Sequence, residues 1–232
     1  MDPVTPQVVV KFISFPKPNF IPMEKTKNTL FQNIEEHIQS LDITSITENR
    51  KAILQPLISF IQTKINNKEE IKLHFICTHN SRRSHLAQVW AQALAKYFSI
   101  ENVDCYSGGT EPTALYSKVL ETLAIQGFTI QKLSEGKNSI YSIKFSENTH
   151  PIIGFSKTYD DIFNPTSGFA AIMTCTQADA GCPFIAGAEK RISIPYDDPK
   201  AFDNTAQQTE KYLERSTQIA TEMLYIFSEM KK

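Results

Sequence analysis

A short polar loop lies between an apolar run and an amphipathic segment, and this order constrains the fold more than any other feature of the chain. The apolar run covers residues 71–76, and the loop begins at Cys77, which five residues separate from Arg83. Residues 84–98 then repeat apolar side chains at helical spacing. A strand followed directly by a loop and a helix is typical of a parallel sheet, whose strands need helical crossovers.

The same alternation continues along the chain. Predicted strands cover 71–76, 103–106, 128–133 and 169–175, and predicted helices cover 84–98, 114–126 and 206–230. A turn is predicted at 107–110, and two strand-like runs at 140–145 and 152–155 predict an inserted hairpin. We therefore expect an α/β fold of three layers, in which helices cover both faces of a central four-stranded parallel sheet.

The first 70 residues differ in pattern from the rest. Several prolines surround a strand-like run at 8–13, and two helices are predicted between residues 24 and 68. Pro56 lies inside the second helical pattern, so we expect that helix to be kinked there or to begin near Gln55. The chain is thus divided into an N-terminal extension at 1–70 and a main domain at 71–232, with an insertion at 134–167.

The composition and the net charge of the chain exclude some classes of function. The chain has 232 residues, of which 41% are hydrophobic and 21% charged, and a formal net charge of -1. A charge so close to zero gives no reason to expect binding to nucleic acid or to a membrane surface. Because there is no long apolar span and no signal-like start, and because four cysteines are few for a disulfide scaffold, we expect a cytoplasmic protein.

The loop after the first strand has the chemistry of an anion cradle. Its backbone N–H groups can point at one tetrahedral oxyanion, while the Arg83 guanidinium closes over two oxygens. The same field favours the thiolate form of Cys77. Asn80 suits a left-handed turn position and can brace the loop. The candidate oxyanion-binding residues are Thr78, His79, Asn80, Ser81, Arg82, Arg83 and Ser84. The alternatives are a structural cysteine beside a surface arginine, and serines that only cap the helix.

A second cysteine pair lies far along the chain. Six residues separate Cys175 from Cys182, and the pair follows the predicted strand at 169–175. If that strand neighbours the one that ends at Cys77, three sulfurs share one sheet edge and a thiol–disulfide relay is possible. Alternatively, Cys175 is a core residue and Cys182 has no role. Cys105, within a predicted strand, is interpreted as a buried structural residue.

Asp198 is the candidate general acid. It stands in the stretch Tyr196-Asp197-Asp198-Pro199, where the proline fixes the backbone that presents the carboxyl group. Asp-Pro alone is a common turn, so this role depends on the loop and the cysteine pair. Asp197 is interpreted as a solvated neighbour. Among the histidines near the loop, His74 and His85 are expected to be structural, and only His79 lies inside the cradle.

These elements together resemble the low-molecular-weight protein tyrosine phosphatase superfamily, and more closely its thioredoxin-coupled arsenate reductase branch. The loop Cys-Thr-His-Asn-Ser-Arg-Arg-Ser resembles the family's Cys-Thr-Gly-Asn-Ser-Cys-Arg-Ser. The reductase pattern also includes the residues of this chain from Met173 to Cys175, Ala178-Asp179, Cys182-Pro183 and Asp197-Asp198-Pro199. The resemblance runs from about Lys72 to the last residue. Phosphatases of the family tend to have aromatic residues after Asp-Pro, where this chain has Lys200 and Ala201.

The resemblance implies a flavodoxin-like strand order and a reaction that needs no cofactor. Cys77 would attack arsenate, which Arg83 and the loop amides would hold, and Asp198 would protonate the departing oxygen. Cys175 would then attack Cys77 and release arsenite. Cys182 would attack in turn, leaving a Cys175–Cys182 disulfide for thioredoxin, the expected reductant. Movement of the loop that carries the cysteine pair is therefore predicted.

Other readings remain open at this point. The closest alternative is hydrolysis of a phosphomonoester through a cysteinyl-phosphate on Cys77. Less favoured are a non-catalytic oxyanion sensor and a zinc site of Cys77, His79, Cys175 and Cys182, whose cation the two loop arginines would repel. His79 and Arg82 replace smaller residues of the family loop, so the cradle is expected to be bulkier and more positive.

Overall fold

The fold was taken from a computed structural model that describes residues 30–181 and 184–231. In chain order its helices are α1 (Gln32–Gln39), α2 (Glu48–Asn67), α3 (Arg83–Tyr97), α4 (Ser117–Ile125), α5 (Thr176–Gly181) and α6 (Gln208–Ser228). Its strands are β1 (Ile71–Cys77), β2 (Val103–Gly109), β3 (Thr129–Lys132), β4 (Tyr141–Lys144), β5 (Ile152–Gly154), β6 (Phe169–Met173) and β7 (Ala188–Ser193). Short 3₁₀ helices cover Ile43–Ser45 and Pro199–Phe202.

A four-stranded parallel sheet with the order β2-β1-β6-β7 forms the centre of the fold. This is the 2-1-3-4 order of the flavodoxin-like class, in which the first strand is central and its carboxyl end lies at the switch point. The sequence-based prediction of an α/β fold with a central four-stranded parallel sheet is confirmed. The loop that begins at Cys77 therefore lies at the place where such sheets bind ligands.

The prediction is wrong about one strand of the central sheet. The predicted strand at 128–133 forms β3, which pairs with β4 in a separate antiparallel sheet of order β3-β4-β5. The fourth parallel strand is β7, which was not predicted. Only Ile192 of its six residues is buried, because β7 lies at the edge of the sheet, and so its sequence lacks an apolar run. The predicted hairpin at 140–145 and 152–155 is confirmed as β4 and β5.

Helices cover both faces of the central sheet. Leu73 and Phe75 of β1 point into the main core, which α2, α3 and α6 also line. Ile76 points to the opposite face, where it clusters with Met173 of β6 and Ala178 of α5. The alternation of side chains from Leu73 to Ile76 thus separates a large core from a small one. The small core also includes Cys77 and Cys175.

The two helices predicted in the N-terminal segment are confirmed. Ile34 of α1 and Leu54, Leu57 and Ile61 of α2 are fully buried in the same core as the central sheet. Helix α2 begins at Glu48, since the hydroxyl of Thr47 accepts the N–H of Arg50 at 3.3 Å, and it continues through Pro56. The alternative start near Gln55 is therefore wrong.

A charged contact also joins this segment to the last helix. Two nitrogens of Arg50 on α2 donate to the two carboxylate oxygens of Glu222 on α6, each at 2.8 Å. The strand-like run predicted at 8–13 lies outside the described residues. No helix within the described ranges has the length and the apolar character needed to cross a membrane.

The turn predicted at 107–110 is wrong, because β2 continues through Gly109. Gly108 and Gly109 are paired with Ile76 and Cys77 of β1. A Cβ atom at Gly109 would lie only 2.7 Å from the backbone nitrogen of Asn80 and from the carbonyl oxygen of Thr78. Glycine at this position therefore lets the end of β2 approach the backbone of the loop directly.

Candidate active site

The loop between β1 and α3 forms one wall of a small pocket at the carboxyl end of the sheet. The pocket is lined by Cys77, His79, Ser81, Arg82, Arg83 and Asp198. Because α3 begins at Arg83, the free backbone N–H groups of its first turn face the same end of the sheet. The pocket therefore brings the candidate nucleophile, two arginines and the candidate acid to one place.

The sulfur of Cys77 is nearly buried and contacts a hydroxyl group. Cys77 is 3% exposed, and its Sγ lies 3.1 Å from Oγ of Ser84 in the first turn of α3. Nδ2 of Asn80 donates to the same Ser84 oxygen at 2.9 Å. Since that oxygen already accepts from Asn80, the hydroxyl hydrogen is free to be donated to the sulfur. Ser84 can therefore donate a hydrogen bond to the sulfur of Cys77.

Asn80 has the left-handed conformation expected from the sequence, with a φ of 43°. Its side chain is fully buried and makes two hydrogen bonds across the loop. Besides the bond to Ser84, its Oδ1 accepts the backbone N–H of Lys157 at 2.9 Å. The expectation that Asn80 braces the loop is confirmed by these contacts.

His74 and His85 are both buried, and His85 contacts the loop directly. Nε2 of His85 lies 3.0 Å from the carbonyl oxygen of Asn80, and Nδ1 lies 3.2 Å from the hydroxyl of Ser107. Because a carbonyl only accepts, Nε2 carries the proton and Nδ1 accepts from Ser107. Burial lowers the pKa of His85, and also that of His74, to about 3. Both imidazoles are therefore neutral structural groups at neutral pH.

Arg83 is held at the pocket by two oxygens. One terminal nitrogen donates to the carbonyl of Tyr196 at 2.9 Å, and the other donates to Oδ2 of Asp198 at 2.5 Å. The second oxygen of Asp198 accepts the N–H of Lys200 at 3.0 Å. Asp197 points away from the pocket, with a side chain that is 96% exposed and 3.3 Å from Arg215. Arg83 and Asp198 therefore meet in the pocket, and Asp197 does not.

Arg82 lines the pocket, but its guanidinium group donates hydrogen bonds to residues that do not line the pocket. Its Nε donates to the hydroxyl of Tyr212 at 2.5 Å, and a terminal nitrogen donates to Oδ2 of Asp203 at 2.6 Å. The guanidinium also lies 4.1 Å from the ring centre of Tyr116. This side chain is thus part of a cluster with α6 and the segment after Asp198.

The remaining loop residues are more exposed or act through their backbone. His79 has a side chain that is 37% exposed, with Nδ1 3.9 Å from a carboxylate oxygen of Glu111. Its carbonyl accepts the hydroxyl of Ser156 at 2.8 Å. Ser81 is buried, and its carbonyl accepts the N–H of Tyr116 at 3.1 Å.

Cys175 lies beside the loop. The N–H of Thr174 bonds to the carbonyl of Ile76 at 2.7 Å, which carries the pairing of β1 and β6 to the last residue before Cys175. Sγ of Cys175 then lies 3.4 Å from Oγ1 of Thr78 and accepts the N–H of Ala178 at 3.4 Å. Cys182 lies outside the described residues.

Three contributors to the loop were not found from sequence. Ser156 and Lys157, in the region interpreted as an insertion, donate to His79 and Asn80, and the carbonyl of Tyr196 holds Arg83. All three contacts use a backbone atom, and all join residues more than 70 positions apart in the chain. No local motif marks such contacts.

The described residues show no clustered metal ligands. Within residues 30–181 and 184–231, no three His, Cys, Asp or Glu side chains are grouped so that they could hold a metal ion. The zinc site considered from sequence includes Cys182, which lies between those ranges. Cys105 is buried in β2, where burial raises the pKa of its thiol, and it does not line the pocket.

No protein-family model matches the sequence, and no curated protein matches it. The structure is similar to solved low-molecular-weight phosphatases and arsenate reductases. A phosphotyrosine phosphatase from Vibrio cholerae O395 is 14% identical with a TM-score of 0.46, and the match covers 68% of this chain and 94% of that one. An arsenate reductase in its phosphate-binding state is 16% identical with a TM-score of 0.45, over 69% and 99%.

A thioredoxin-dependent arsenate reductase from Corynebacterium glutamicum is 18% identical with a TM-score of 0.36, and the match covers 81% of this chain and 80% of that one. Identities and TM-scores this low do not transfer an activity from those proteins to this chain.

Proposed function

We propose that this protein is an enzyme that reduces arsenate to arsenite through the thiolate of Cys77 and a relay with Cys175 and Cys182. The observation that carries the proposal is the place of Cys175. Its sulfur lies 3.4 Å from the side chain of Thr78, the residue that follows Cys77, at the same end of two paired strands. A second thiol beside the nucleophile is what a reductase needs and what a hydrolase does not.

In the first step, the Cys77 thiolate attacks arsenic and forms an S–As bond. An As–O bond breaks, and the departing oxygen takes a proton from Asp198, which has taken up that proton from solvent after the oxyanion displaced its carboxylate from Arg83. Arg83, Ser81 and the N–H groups at the start of α3 hold the remaining oxygens. No electrons have been transferred to arsenic at this stage, because the thiolate has only replaced an oxygen ligand.

The second step is the reduction. The Cys175 thiolate attacks the sulfur of Cys77, an S–S bond forms, and the electron pair of the S–As bond stays on arsenic. Arsenic thereby passes from the +5 to the +3 state and leaves as arsenite. Cys182 then attacks Cys175, which frees the Cys77 thiolate and leaves a Cys175–Cys182 disulfide. A dithiol reductant of the thioredoxin type returns the pair to its reduced form.

The last exchange requires α5 to unwind. Helix α5 fills the six positions between Cys175 and Cys182. At about 1.5 Å of rise per residue, the six residues of α5 extend about 9 Å along the helix axis, whereas a disulfide needs Cα atoms about 4.4–6.8 Å apart. A helix of one to two turns is marginal by itself, so the cost of unwinding it is small. We therefore propose a redox-linked loss of α5.

The proposal is tested with Cys182→Ser. This variant should lose multiple-turnover arsenate reduction with thioredoxin, and after one exposure to arsenate it should accumulate a Cys77–Cys175 disulfide that mass spectrometry detects. Hydrolysis of an aryl phosphate should remain within about threefold of wild type, since that reaction does not need Cys182. Unchanged arsenate reduction in Cys182→Ser would overturn the relay.

Cys105→Ala is the matched control. It removes a buried cysteine that lies on β2 and does not line the pocket. This variant should keep both activities and form the same disulfides as wild type. A loss of arsenate reduction in Cys105→Ala would assign the relay to a different cysteine.

Phosphomonoester hydrolysis is the second candidate function. The observation in its favour is that Cys77, Arg83 and Asp198 already line one pocket, and these groups suffice for a cysteinyl-phosphate and its release. Aryl phosphate turnover that persists in a Cys175→Ser Cys182→Ser double variant, together with no arsenate reduction by wild type, would favour this function.

A further inference from the structure

We infer that Arg82, Asp203 and Tyr212 form a second tether that keeps Asp198 at the pocket when an oxyanion binds Arg83. This inference rests on the proposed role of Asp198 as the acid, but not on whether the oxyanion is reduced or hydrolysed. Arg82, Asp203 and Tyr212 are positioning residues in this scheme, since they act through the segment that carries Asp198.

Two consecutive arginines of the loop hold the two ends of one short segment. Arg83 donates to Asp198, directly before the 3₁₀ helix Pro199–Phe202, and Arg82 donates to Asp203, directly after it. The side chains of Arg82 and Asp203 are only 11% and 16% exposed. Because the segment between the two aspartates is one helical turn, fixing one end restricts the other.

Further hydrogen bonds support the ion pair between Arg82 and Asp203. The hydroxyl of Tyr212 donates to Oδ1 of Asp203 at 2.6 Å and accepts from Nε of Arg82 at 2.5 Å. Gln208 donates to the same Oδ1 at 3.2 Å and to the hydroxyl of Tyr116 at 3.0 Å. Burial alone would raise the pKa of Asp203, but these bonds and the Arg82 charge keep it below its usual value.

The second tether matters because the first one is lost during the reaction. In this scheme the oxyanion takes the terminal nitrogen of Arg83 that now binds Asp198, because the other terminal nitrogen is held by the carbonyl of Tyr196. When the anion takes that nitrogen, Asp198 keeps only its local bond from the N–H of Lys200. The Arg82–Asp203 pair uses different nitrogens and need not break. It therefore limits how far the freed Asp198 can move from the departing oxygen.

The inference is tested with Asp203→Asn and Tyr212→Phe. Each should lower kcat about 10- to 100-fold, on arsenate and on aryl phosphates, because a displacement of about 1 Å costs about 100-fold. The dissociation constant for inorganic phosphate should stay within about threefold of wild type. With aryl phosphates, kcat should depend more steeply on the leaving-group pKa, a response that a loss of folded protein alone cannot give.

A double-variant cycle separates positioning from a general structural effect. Asp203→Asn should have little further effect on kcat in an Asp198→Asn background, since the group that it positions is already absent. Full additivity of the two changes would overturn the tether. Asp197→Asn is the matched control, because it removes an exposed carboxylate from the same segment and should leave kcat unchanged.

Amide hydrogen exchange tests the tether without requiring any catalytic activity. Saturating phosphate should leave amide hydrogen exchange in residues 198–207 slow in wild type and accelerate it in Asp203→Asn. Equal exchange in the two proteins would overturn the tether. Absence of Cys77-dependent arsenate reduction, with this exchange difference present, would overturn the proposed function alone.

Discussion

The guanidinium of Arg83 and the carboxylate of Asp198 are bound to each other, 2.5 Å apart, in the pocket that holds Cys77. The groups expected to bind the oxyanion and to protonate its departing oxygen therefore neutralise each other before the substrate arrives. An incoming dianion must displace a carboxylate from the arginine. This exchange links oxyanion binding to the release of the Asp198 carboxylate, which must take up a proton before it can act as the acid.

Asp198→Asn should lower kcat by about 100- to 10,000-fold, the usual contribution of a positioned general acid. The same change should tighten inorganic phosphate binding several-fold, because Arg83 no longer pairs with a carboxylate. Steady-state kinetics and calorimetric titration with phosphate measure the two effects. A variant with wild-type kcat would show that Asp198 is not the acid.

Substitutions of Asn80 should separate its backbone role from its side-chain role. Asn80→Gly tolerates the positive φ but loses both bonds of the buried amide, so we expect a loss of about 2–4 kcal/mol of stability and reduced activity. Asn80→Ala should lose about 1–2 kcal/mol more, because alanine resists the left-handed conformation. Urea unfolding measures both. Equal stability of the two variants would contradict the role of φ.

Two neutral histidines should make the fold sensitive to acid. Burial lowers the pKa of His74 and of His85 from 6.5 to about 3. Below pH 6.5 the unfolded chain takes up both protons and the folded chain does not, so the stability present above pH 6.5 is lost as pH falls toward 3. The slope should reach about 2.7 kcal/mol per pH unit for the two groups together.

Urea unfolding between pH 7 and pH 5 measures this slope. His74→Phe removes one of the two titrating groups from a site lined by the Phe169 and Tyr106 rings, and it should roughly halve the slope. A slope in His74→Phe equal to that of wild type would show that His74 does not contribute.

Pro56→Ala should stabilise the protein by about 1–2 kcal/mol. Proline in the interior of α2 removes a helical hydrogen bond and costs about 3 kcal/mol, and alanine regains part of this while the unfolded chain gains about 1 kcal/mol of freedom. The urea midpoint should rise with no change in kcat. A lower midpoint would mean that the packing of the proline ring outweighs the missing bond.

The sequence allowed the unit of β1, loop and α3 to be predicted because its signals are local. An apolar run, a polar loop and a helical repeat follow one another within 30 residues. Asn80 was predicted to adopt a left-handed turn for the same reason. Strand β3 was recognised as a strand but placed in the wrong sheet, because its partners are set by pairing with β4 and not by its own residues.

Contacts between distant segments could not be predicted. Arg82 was expected to make the cradle more positive, yet its charge is bound by Asp203, 121 positions further along the chain. Strand β7 escaped detection because an edge strand needs little apolar surface. These features depend on contacts between distant segments, and the residue pattern within one segment does not predict which other segment it contacts.

The shared core of the N-terminal helices and the sheet links substitutions in α1 and α2 to the pocket. Leu54 and Leu57 of α2 are fully buried, and Arg50 on the same helix holds Glu222 on α6, the helix that also carries Tyr212. A substitution in α2 can therefore shift the geometry of the pocket through α6. Helices α1 and α2 therefore belong to the structural support of the pocket, and substitutions at their buried positions should alter activity as well as stability.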